Sequence, residues 1–540
     1  MTDVSDLPIT GPETDPTAPR RSADPLRPPW TLGALAGLVA GAVAVGIGLL
    51  AAQLFDTVSP TDAVGSEFID RVPRWLKELA VNWFGTNDKR ALRFGMFAVM
   101  AIIAALFGVK SRKDPWVGVM GFALFGLVGA LAAMHRPAVP NRAAFAPVIG
   151  SLVGALAIAW LVDALTGWWR EARTPHRSRA PLGLDRRRFL VSTGAVAAVA
   201  VTTSGAAAAL EGRRVRRIEN SAPRTLPVPV QPVPTTAAPS PGSEIEAVTP
   251  YITPNGDFYR IDTALSFPRI DVNSWKMRIT GMIDHEIELS YADLLARPQV
   301  ERTVTLCCVS NEVGGDLIGN AVWQGVLLAD LLKEAGVQPG AEQVFSTSVD
   351  GWTSGFPVSL AMDGRDALVA IGMNGHPLPL EHGFPVRLVV PGLYGYVSAT
   401  KWLSEIQLTT WDAHEGYWVP RGWSREGPVK TESRIDVPRR RDTVLPGPTV
   451  IAGVAWAQHR GISKVEVQVD DGPWAAADMG TEDTDDAWRQ WVLKWDATAG
   501  THTIKVRATD KTGATQTEEV AAVAPDGATG YHTRRIRVSG

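Results

Sequence analysis

Hydrophobic and polar positions divide this chain into two unlike halves. From Trp30 to Leu210 the sequence is strongly apolar and rich in Ala, Gly, Val and Leu, whereas from Tyr251 onward apolar and polar residues alternate over short distances. A helix that crosses a bilayer needs roughly 20 apolar residues, and a soluble helix keeps a polar face. The first half therefore predicts membrane-spanning helices, and the second half predicts a globular region outside the bilayer.

Five apolar runs are suited in length to membrane spans. The second run is short and is expected to complete its span with Leu92 and Arg93, whose long side chain reaches the interface. We predict an all-α membrane region of five helices over residues 30–210, preceded by a cytoplasmic tail of residues 1–29. The runs are Trp30–Phe55, Phe94–Val109, Trp116–Met134, Ala143–Leu165 and Phe189–Leu210.

Basic residues in the short connections set the predicted orientation. With a cytoplasmic N-terminus, the inner segments carry more Lys and Arg than the outer loops, and segment 170–188 is the richest. Lys and Arg accumulate on the cytoplasmic side of membrane proteins. Five crossings from an inside start place the chain after residue 210 outside the cytoplasm. In the first outer loop, EFIDRVPRWLKELAVNWFG (67–85) predicts an amphipathic helix on the membrane surface.

The start of the fifth run carries a pattern of its own. Arg186 and Arg187, followed by Phe189 and Leu190, resemble a twin-arginine export signal, although the same arginines also satisfy an ordinary positive-inside flank. No haem is predicted between the helices, because the histidines of the first half are loop residues. We interpret this half as an anchor or a docking unit for a partner.

The second half predicts three further segments. Residues 211–250 form a proline-rich linker, and residues 251–443 form a mixed α and β domain. Within that domain, VWQGVLLADLLKEAGV predicts a turn and an amphipathic helix, and FPVRLVVP predicts a short buried strand. Residues 444–540 alternate with turns at the spacing of an immunoglobulin-like β-sandwich, one without the inter-sheet disulfide. The inward face of the predicted helix comprises Val326, Leu327, Asp330, Leu331 and Leu332.

Charge and cysteine content narrow the possible chemistry. A net charge of −3 gives no indication of nucleic-acid binding. The chain has only two cysteines, Cys307 and Cys308. Neighbouring cysteines seldom form a structural disulfide, and two thiols are too few for zinc or iron–sulfur sites. Two interpretations stay open: buried core thiols, or a thiolate that is one ligand of a soft metal whose other ligands come from an organic cofactor.

The stretches TLCCVSN (305–311), FYRIDTAL (258–265) and residues 373–403 together resemble the sulfite-oxidase family of molybdopterin enzymes. TLCCVSN (305–311) is similar to the family's cysteine motif, in which a thiolate binds molybdenum, and FYRIDTAL (258–265) resembles its early pterin-contacting segment. The most recognisable block is MNGHPLPLEHGFPVRLVVPGLYGYVSATKWL (373–403). The tail from GVAWAQHRG (453–461) resembles the family's sandwich-like second domain. The resemblance implies a multi-domain protein in which a mixed α+β molybdopterin domain precedes the immunoglobulin-like sandwich.

The same resemblance implies a molybdenum–molybdopterin cofactor and its site. Arginine and lysine make charge-assisted contacts to a pterin phosphate, and His382 and Asn311 are suited to hydrogen bonds with the ring. Cys308 is the expected metal ligand, with Cys307 as its packed neighbour, and the catalytic residues are Cys308, Tyr417 and Arg260. The expected cofactor-binding residues are Tyr259, Arg260, Asp262, Asn311, Asp350, His382, Arg387, Ser398 and Lys401.

Substrate and partners stay open at this point. Sulfite enzymes of the family place an arginine shortly after the motif's asparagine, where this chain has Glu312 and Val313. A carboxylate there disfavours an anionic substrate, so sulfite, a sulfoxide and a small organic compound are all candidates, with Arg421 or Arg460 as possible compensating cations. A separate electron carrier, a quinone or a cytochrome, and a homodimer are also expected. The alternative is a membrane-anchored binding or assembly protein with a cofactor-free domain.

Overall fold

The computed structural model describes residues 28–73, 76, 83, 88–136, 141–171, 183–221, 223, 225–233, 245, 247–439 and 442–539. The predicted tail before residue 28, most of the surface helix beyond residue 73 and residues 234–244 of the predicted linker lie outside these ranges. Contacts group the chain into two units. One unit combines the connections 49–96 and 127–147 with everything from Gly205 onward.

Within the described residues, five helices are long and apolar enough to cross a membrane, as the hydrophobic pattern predicts. A short amphipathic helix lies between the first two, and its first turn is capped by the Ser59 hydroxyl, which accepts a hydrogen bond from the backbone N–H of Asp62 at 3.0 Å. The last helix continues beyond Leu210, so the predicted linker begins as helix. The helices are α1 Trp30–Leu54, α2 Pro60–Arg71, α3 Asp88–Ser111, α4 Pro115–Met134, α5 Phe145–Glu171 and α6 Gly183–Ser221.

A mixed α/β domain follows, built on two five-stranded sheets around one apolar core. Short helices connect the strands: α7 Tyr291–Ala296, α8 Leu328–Ala335, α9 Val358–Met362 and α10 Gly395–Ser398. The strands are β1 Lys276–Gly281, β2 Ile287–Ser290, β3 Val300–Cys307, β4 Ile318–Leu327, β5 Gln343–Ser348, β6 Thr353–Pro357, β7 Leu368–Met373, β8 His376–Pro377, β9 Arg387–Val389 and β10 Leu403–Thr409.

The two sheets differ in how their strands pair. The first has the order β2-β1-β10-β5-β6, with β1 and β10 parallel and the other pairs antiparallel. The second has the order β3-β4-β7-β8, with β9 also paired to β7, and its pairs are antiparallel. Strand β9 lies within the segment FPVRLVVP that predicts a buried strand, and all three of its residues are buried.

The predicted helix around VWQGVLLADLL is wrong at its beginning. Val326 and Leu327 are the last residues of strand β4, paired with Val369 and Leu368 of β7. Helix α8 begins only at Leu328. Strand β4 ends on the apolar residues Val326 and Leu327, which lead directly into the apolar Leu328 at the start of the helix, so the hydrophobic pattern does not mark the boundary.

The C-terminal region consists of two four-stranded antiparallel sheets that share a core of residues such as Ile435, Ile451, Val465 and Ile504. The first sheet, in the order β11-β12-β16-β15, includes a strand that precedes residue 444. The second has the order β14-β13-β17-β18. The strands are β11 Glu432–Val437, β12 Gly447–Trp456, β13 Ile462–Val469, β14 Ala475–Ala476, β15 Asp478–Met479, β16 Arg489–Ala497, β17 Gly500–Asp510 and β18 His532–Val538.

Candidate functional site

The two adjacent cysteines have different environments. Cys307 is the last residue of β3, is 1% exposed and belongs to the apolar core. Cys308 follows the strand and lies on the wall of a pocket. Successive side chains of a strand point in opposite directions, which explains why one thiol lies in the core and the next lies at the pocket. The interpretation as a buried core thiol therefore suits Cys307, and the interpretation as a metal ligand suits Cys308.

The pocket next to Cys308 collects most of the predicted cofactor residues. Five of them line it together with the thiol: Tyr259, Asp262, Asp350, Arg387 and Lys401. Several aromatic side chains that are not among the predicted residues complete the wall, among them Trp352, Trp418 and Trp423. The aromatic-rich stretch GYWVPRGW (416–423) contains two of these and is the signal that would have found them.

The Cys308 thiol is protonated at neutral pH in the absence of a metal. Burial raises its pKa, while hydrogen bonds from the backbone and hydroxyl of Ser310 and the charge of Lys401 act in the opposite direction. A bound cation would deprotonate such a thiol. The hydrogen bonds from Ser310 are then already in place to stabilise the thiolate.

Asp262 is surrounded by cations. Arg260 Nε lies 2.9 Å from its Oδ2 atom and Lys401 Nζ lies 3.3 Å from the same atom, while Lys89 binds Oδ1. Burial alone would raise the pKa of Asp262, but Lys401, Lys89 and Arg260 together hold it well below its ordinary value. Besides its predicted contact with a cofactor, Asp262 therefore has a structural role, because its carboxylate forms ion pairs with three cations.

Arg387 is a buried cation at the pocket wall. Its guanidinium donates to the carbonyl oxygens of His382, at 3.1 Å, and Leu388, at 3.3 Å, and lies 4.9 Å from the ring centroid of Trp323. Burial lowers the pKa of Arg387 to about 10, so the group stays charged at neutral pH. No described carboxylate lies within ion-pair distance of it. A buried charge requires compensation, and an anionic ligand in the pocket would supply it.

Three other predicted residues mainly hold the backbone next to the pocket. The Ser398 hydroxyl donates to the carbonyl oxygen of Tyr394 at 3.0 Å, and Asn311 Oδ1 accepts from the backbone N–H of Leu317 at 2.9 Å. His382 Nε2 lies 2.9 Å from the carbonyl oxygen of Asn255. Burial lowers the pKa of His382 to about 4, which keeps the ring neutral at pH 7.

Two polar atoms of these residues are buried without a hydrogen-bond partner in the described part of the chain, namely Asn311 Nδ2 and His382 Nδ1. Buried polar atoms are normally satisfied. Neither residue is among the described lining residues, but Asn311 follows the lining residue Ser310 and the His382 carbonyl accepts from the lining residue Arg387. A donor and an acceptor left over next to residues of a cationic pocket with a thiol fit a ligand that combines a phosphate, a hydrogen-bonding ring and a soft metal. The residues present therefore fit a molybdopterin cofactor.

Tyr417 has an unexpected partner. Its hydroxyl donates to Asp70 Oδ1 at 2.5 Å, and the guanidinium of Arg421 lies 3.7 Å from its ring centroid. Burial, and then the hydrogen bond to Asp70, raise the pKa of Tyr417 above its ordinary value. Tyr417 and Arg260 are not among the described residues that line the pocket. Their predicted catalytic roles would require the side chains to turn toward it.

Two of the charged groups that contact this region come from the first half of the chain, one before the second membrane-length helix and one at its beginning. Asp70 is near the end of α2 and also lies 3.5 Å from Arg136, and Lys89 is near the start of α3. Asp70 lies within the stretch that predicts a surface helix, and no role in a binding site is predicted for it or for Lys89. Because they are remote in sequence from the pocket residues, local pattern contains no signal for the contacts.

Comparisons with known proteins match the part of the chain that contains this pocket. Residues 264–418 match the oxidoreductase molybdopterin binding domain. The chain is 31% identical over 322 residues to the mitochondrial sulfite oxidase of Homo sapiens, covering 51% of this chain and 58% of that protein. It is 38% identical over 157 residues to the uncharacterized oxidoreductase YuiH of Bacillus subtilis (strain 168), covering 29% of this chain and 76% of YuiH.

Among solved structures, the sulfane dehydrogenase SoxCD from Paracoccus pantotrophus aligns with 60% of this chain and 92% of its own, at 25% sequence identity and a TM-score of 0.47. The chain spans a little over half the length of the human sulfite oxidase that it matches.

Proposed function

Because this chain belongs to the sulfite-oxidase family of molybdopterin-binding oxidoreductases, we propose that it transfers an oxygen atom between a small-molecule substrate and a molybdenum cofactor held in the Cys308 pocket. One observation carries the proposal: a buried thiol shares a pocket with Arg387, a buried cation for which the described residues offer no carboxylate. A thiolate ligand and an anion-binding cation are what a phosphate-bearing metal cofactor requires.

Each residue has a definite part in this proposal. The cofactor would supply the two-electron redox centre, with Cys308 as its protein ligand. Arg387 and Lys401 would bind its phosphate, and His382 and Asn311 would offer their unpartnered ring and amide nitrogens. Because burial also lowers the pKa of Lys401 to about 8, an anionic ligand would stabilise the charged form of that side chain.

Three charged residues that bear on the choice of substrate are not among the described lining residues of the pocket. Glu312 is exposed and is not among the described lining residues, so it does not place a negative charge in the pocket. Arg460 is paired with Asp510 at 3.0 Å in the C-terminal region, and Arg421 stacks on Tyr417. Neither arginine is a described pocket cation. Sulfite, a sulfoxide and a small organic compound remain the candidate classes.

The contacts around Asp70 support a multi-pass arrangement with the pocket outside the cytoplasm. Asp70 follows the first membrane-length helix, Arg136 follows the third, and Tyr417 follows the fifth, yet the three are joined in one network. If all five helices cross the bilayer, these three positions lie on the same side. The distribution of basic residues makes that side the extracytoplasmic one.

Three further parts of the proposal concern partners and export. The C-terminal pair of sheets would be the immunoglobulin-like domain through which a homodimer forms. Electrons would pass to or from a separate quinone or cytochrome. Arg186 and Arg187 would act as a twin-arginine signal.

A metal and activity measurement on the detergent-purified full chain tests the proposal. We expect molybdenum to bind in a fixed ratio to protein, and we expect either oxidation of sulfite by an artificial acceptor or reduction of a sulfoxide by an artificial donor. The alternative, a binding or assembly protein with a cofactor-free domain, predicts neither metal nor turnover. A chain without molybdenum, produced in a host that loads a control molybdoenzyme, would contradict the proposal.

A further inference from the structure

The described residues from Asp56 to Arg93, which include α2 and the first residues of α3, are called the membrane-adjacent connection here, and they are attached to the segment that carries Asp262. This attachment involves contacts of several kinds. Lys89 binds the Asp262 carboxylate and donates to the carbonyl oxygen of Ala264 at 2.9 Å. Arg93 donates to the carbonyl oxygen of Leu265. All of these residues belong to one compact unit.

Two flanking contacts extend this attachment. A Cβ atom added at Gly65 of α2 would lie 2.6 Å from Leu265 Cδ1, so the helix backbone and this buried side chain are in close contact. Farther along, Arg269 forms an ion pair with Asp56 at 3.0 Å. Segment 260–269 contains no described strand or helix of its own. Its position therefore depends on what it touches.

Lys89 has a specific electrostatic effect on the pocket. Asp262 Oδ2 receives Arg260 and Lys401, whereas Lys89 binds the other oxygen, Oδ1. The Asp262 side chain is only 7% exposed. Without Lys89, the carboxylate would be balanced by Arg260 and the pocket-lining Lys401 alone. With Lys89 present, Lys401 has to balance less of the Asp262 charge and is more available to a second anion.

We propose that Lys89 is a positioning residue of the cofactor site, supplied by the membrane-adjacent connection, which fixes Asp262 and leaves Lys401 available to the cofactor's phosphate. This inference rests on the proposed function. It assigns the connection a role beyond anchoring, since the connection would form part of the binding site. The contact between Asp70 and Tyr417 holds the same connection at a second point.

The test uses four full-length variants in detergent. Lys89→Gln removes the charge, and Lys89→Arg keeps it. Gly65→Leu separates α2 from Leu265 without changing any charge. Arg71→Gln is the matched control, because it removes a cation of the same connection whose described ion pair is with Glu67, on an exposed surface.

The first readout is the rate at which molybdenum is lost during dialysis, measured by elemental analysis. Because one charge-assisted contact is removed, we expect Lys89→Gln to release molybdenum roughly tenfold faster than the wild type. Lys89→Arg and Arg71→Gln should stay close to the wild-type rate. Rescue by arginine would indicate that the charge is required. If Lys89→Gln releases metal no faster than Arg71→Gln while the wild type is loaded, the inference is wrong and the proposed function stands.

The second readout does not depend on the metal. Hydrogen exchange over residues 258–269 should increase in Lys89→Gln and Gly65→Leu relative to the wild type and Arg71→Gln. If the wild type contains no molybdenum, the proposed function fails, yet the exchange data still decide whether Lys89 positions Asp262. Unchanged exchange in both variants would overturn that positioning.

Discussion

Replacing Arg387 with methionine separates a ligand-binding cation from a structural one. The guanidinium is buried, and its pKa falls to about 10 because burial disfavours the charged form. With each pKa unit equivalent to about 1.4 kcal/mol, this burial costs the cofactor-free protein roughly 3 kcal/mol. The sign is unambiguous: a lowered arginine pKa means that the charge destabilises the folded state at every pH below about 10, including pH 7.

The contacts of Arg387 offset most of that cost. It donates to two backbone carbonyls, each worth about 1 kcal/mol, and its contact with Trp323 adds about 1 kcal/mol. Arg387→Met loses these contacts and also removes the burial cost. The free energy of unfolding of its cofactor-free form should therefore lie within about 1 kcal/mol of the wild-type value. Its capacity to bind molybdenum should be lost.

Arg434 provides the matched control. It is also buried, but it forms an ion pair with Asp436 at 2.8 Å. Arg434→Met leaves that carboxylate buried without its partner, which costs about 3–5 kcal/mol and lowers the unfolding midpoint by roughly 10 °C.

The assay is thermal unfolding, followed by tryptophan fluorescence, of protein from a host that makes no molybdenum cofactor, together with metal analysis of protein from a host that does. If the unfolding midpoint of Arg387→Met is as low as that of Arg434→Met, Arg387 is a structural residue and the reasoning is refuted.

Two further predictions concern stability. Burial raises the pKa of Glu432 to about 8, so the folded state keeps a proton that the unfolded chain loses near its ordinary pKa, and the free energy of unfolding should fall as pH rises from about 4.5 to 8. Glu432→Gln should remove this slope in thermal midpoints measured between these pH values. A pH profile of the variant parallel to that of the wild type would count against the prediction. Gly281 has φ +90° and a Cβ there would lie 2.2 Å from the carbonyl oxygen of Leu408, so Gly281→Ala should lower the free energy of unfolding by about 2–4 kcal/mol in denaturant unfolding. Gly364 has φ +91° and no neighbouring atom near an added Cβ, so Gly364→Ala should cost about 1 kcal/mol. Equal losses in the two variants would contradict the steric argument.

The sequence predicts well what depends on local pattern. Five apolar runs became five membrane-length helices, and alternating residues marked the long strands of the C-terminal sheets. Different surroundings could be predicted for the two adjacent cysteines, because the resemblance of TLCCVSN to a metal-binding motif assigns Cys308 to the metal and leaves Cys307 as a strand residue. By contrast, the boundary between β4 and α8 was misplaced, because a strand buried on both faces and the inward face of a helix are both apolar at Val326 and Leu327.

Contacts between distant parts of the chain could not be predicted. Asp70 and Tyr417 are separated by 347 positions, and Lys89 and Asp262 by 173. Neither charge has a local pattern that distinguishes it from other loop charges. Resemblance alone assigned Tyr417 to the site, and it contained no information on a partner from the membrane-adjacent connection. The positions of these side chains follow from tertiary packing.

The choice between Cys308 and Cys307 as metal ligand tests the central claim most directly. The decisive measurement is the molybdenum content of the purified full chain, together with the number of sulfur atoms around the metal from X-ray absorption, for Cys308→Ser and Cys307→Ser. We predict that Cys308→Ser loses molybdenum or retains it with one sulfur fewer. Cys307→Ser should be less stable, since its thiol is packed in the core, but should keep the wild-type metal environment. Loss of a sulfur ligand in Cys307→Ser, with Cys308→Ser unchanged, would contradict the account.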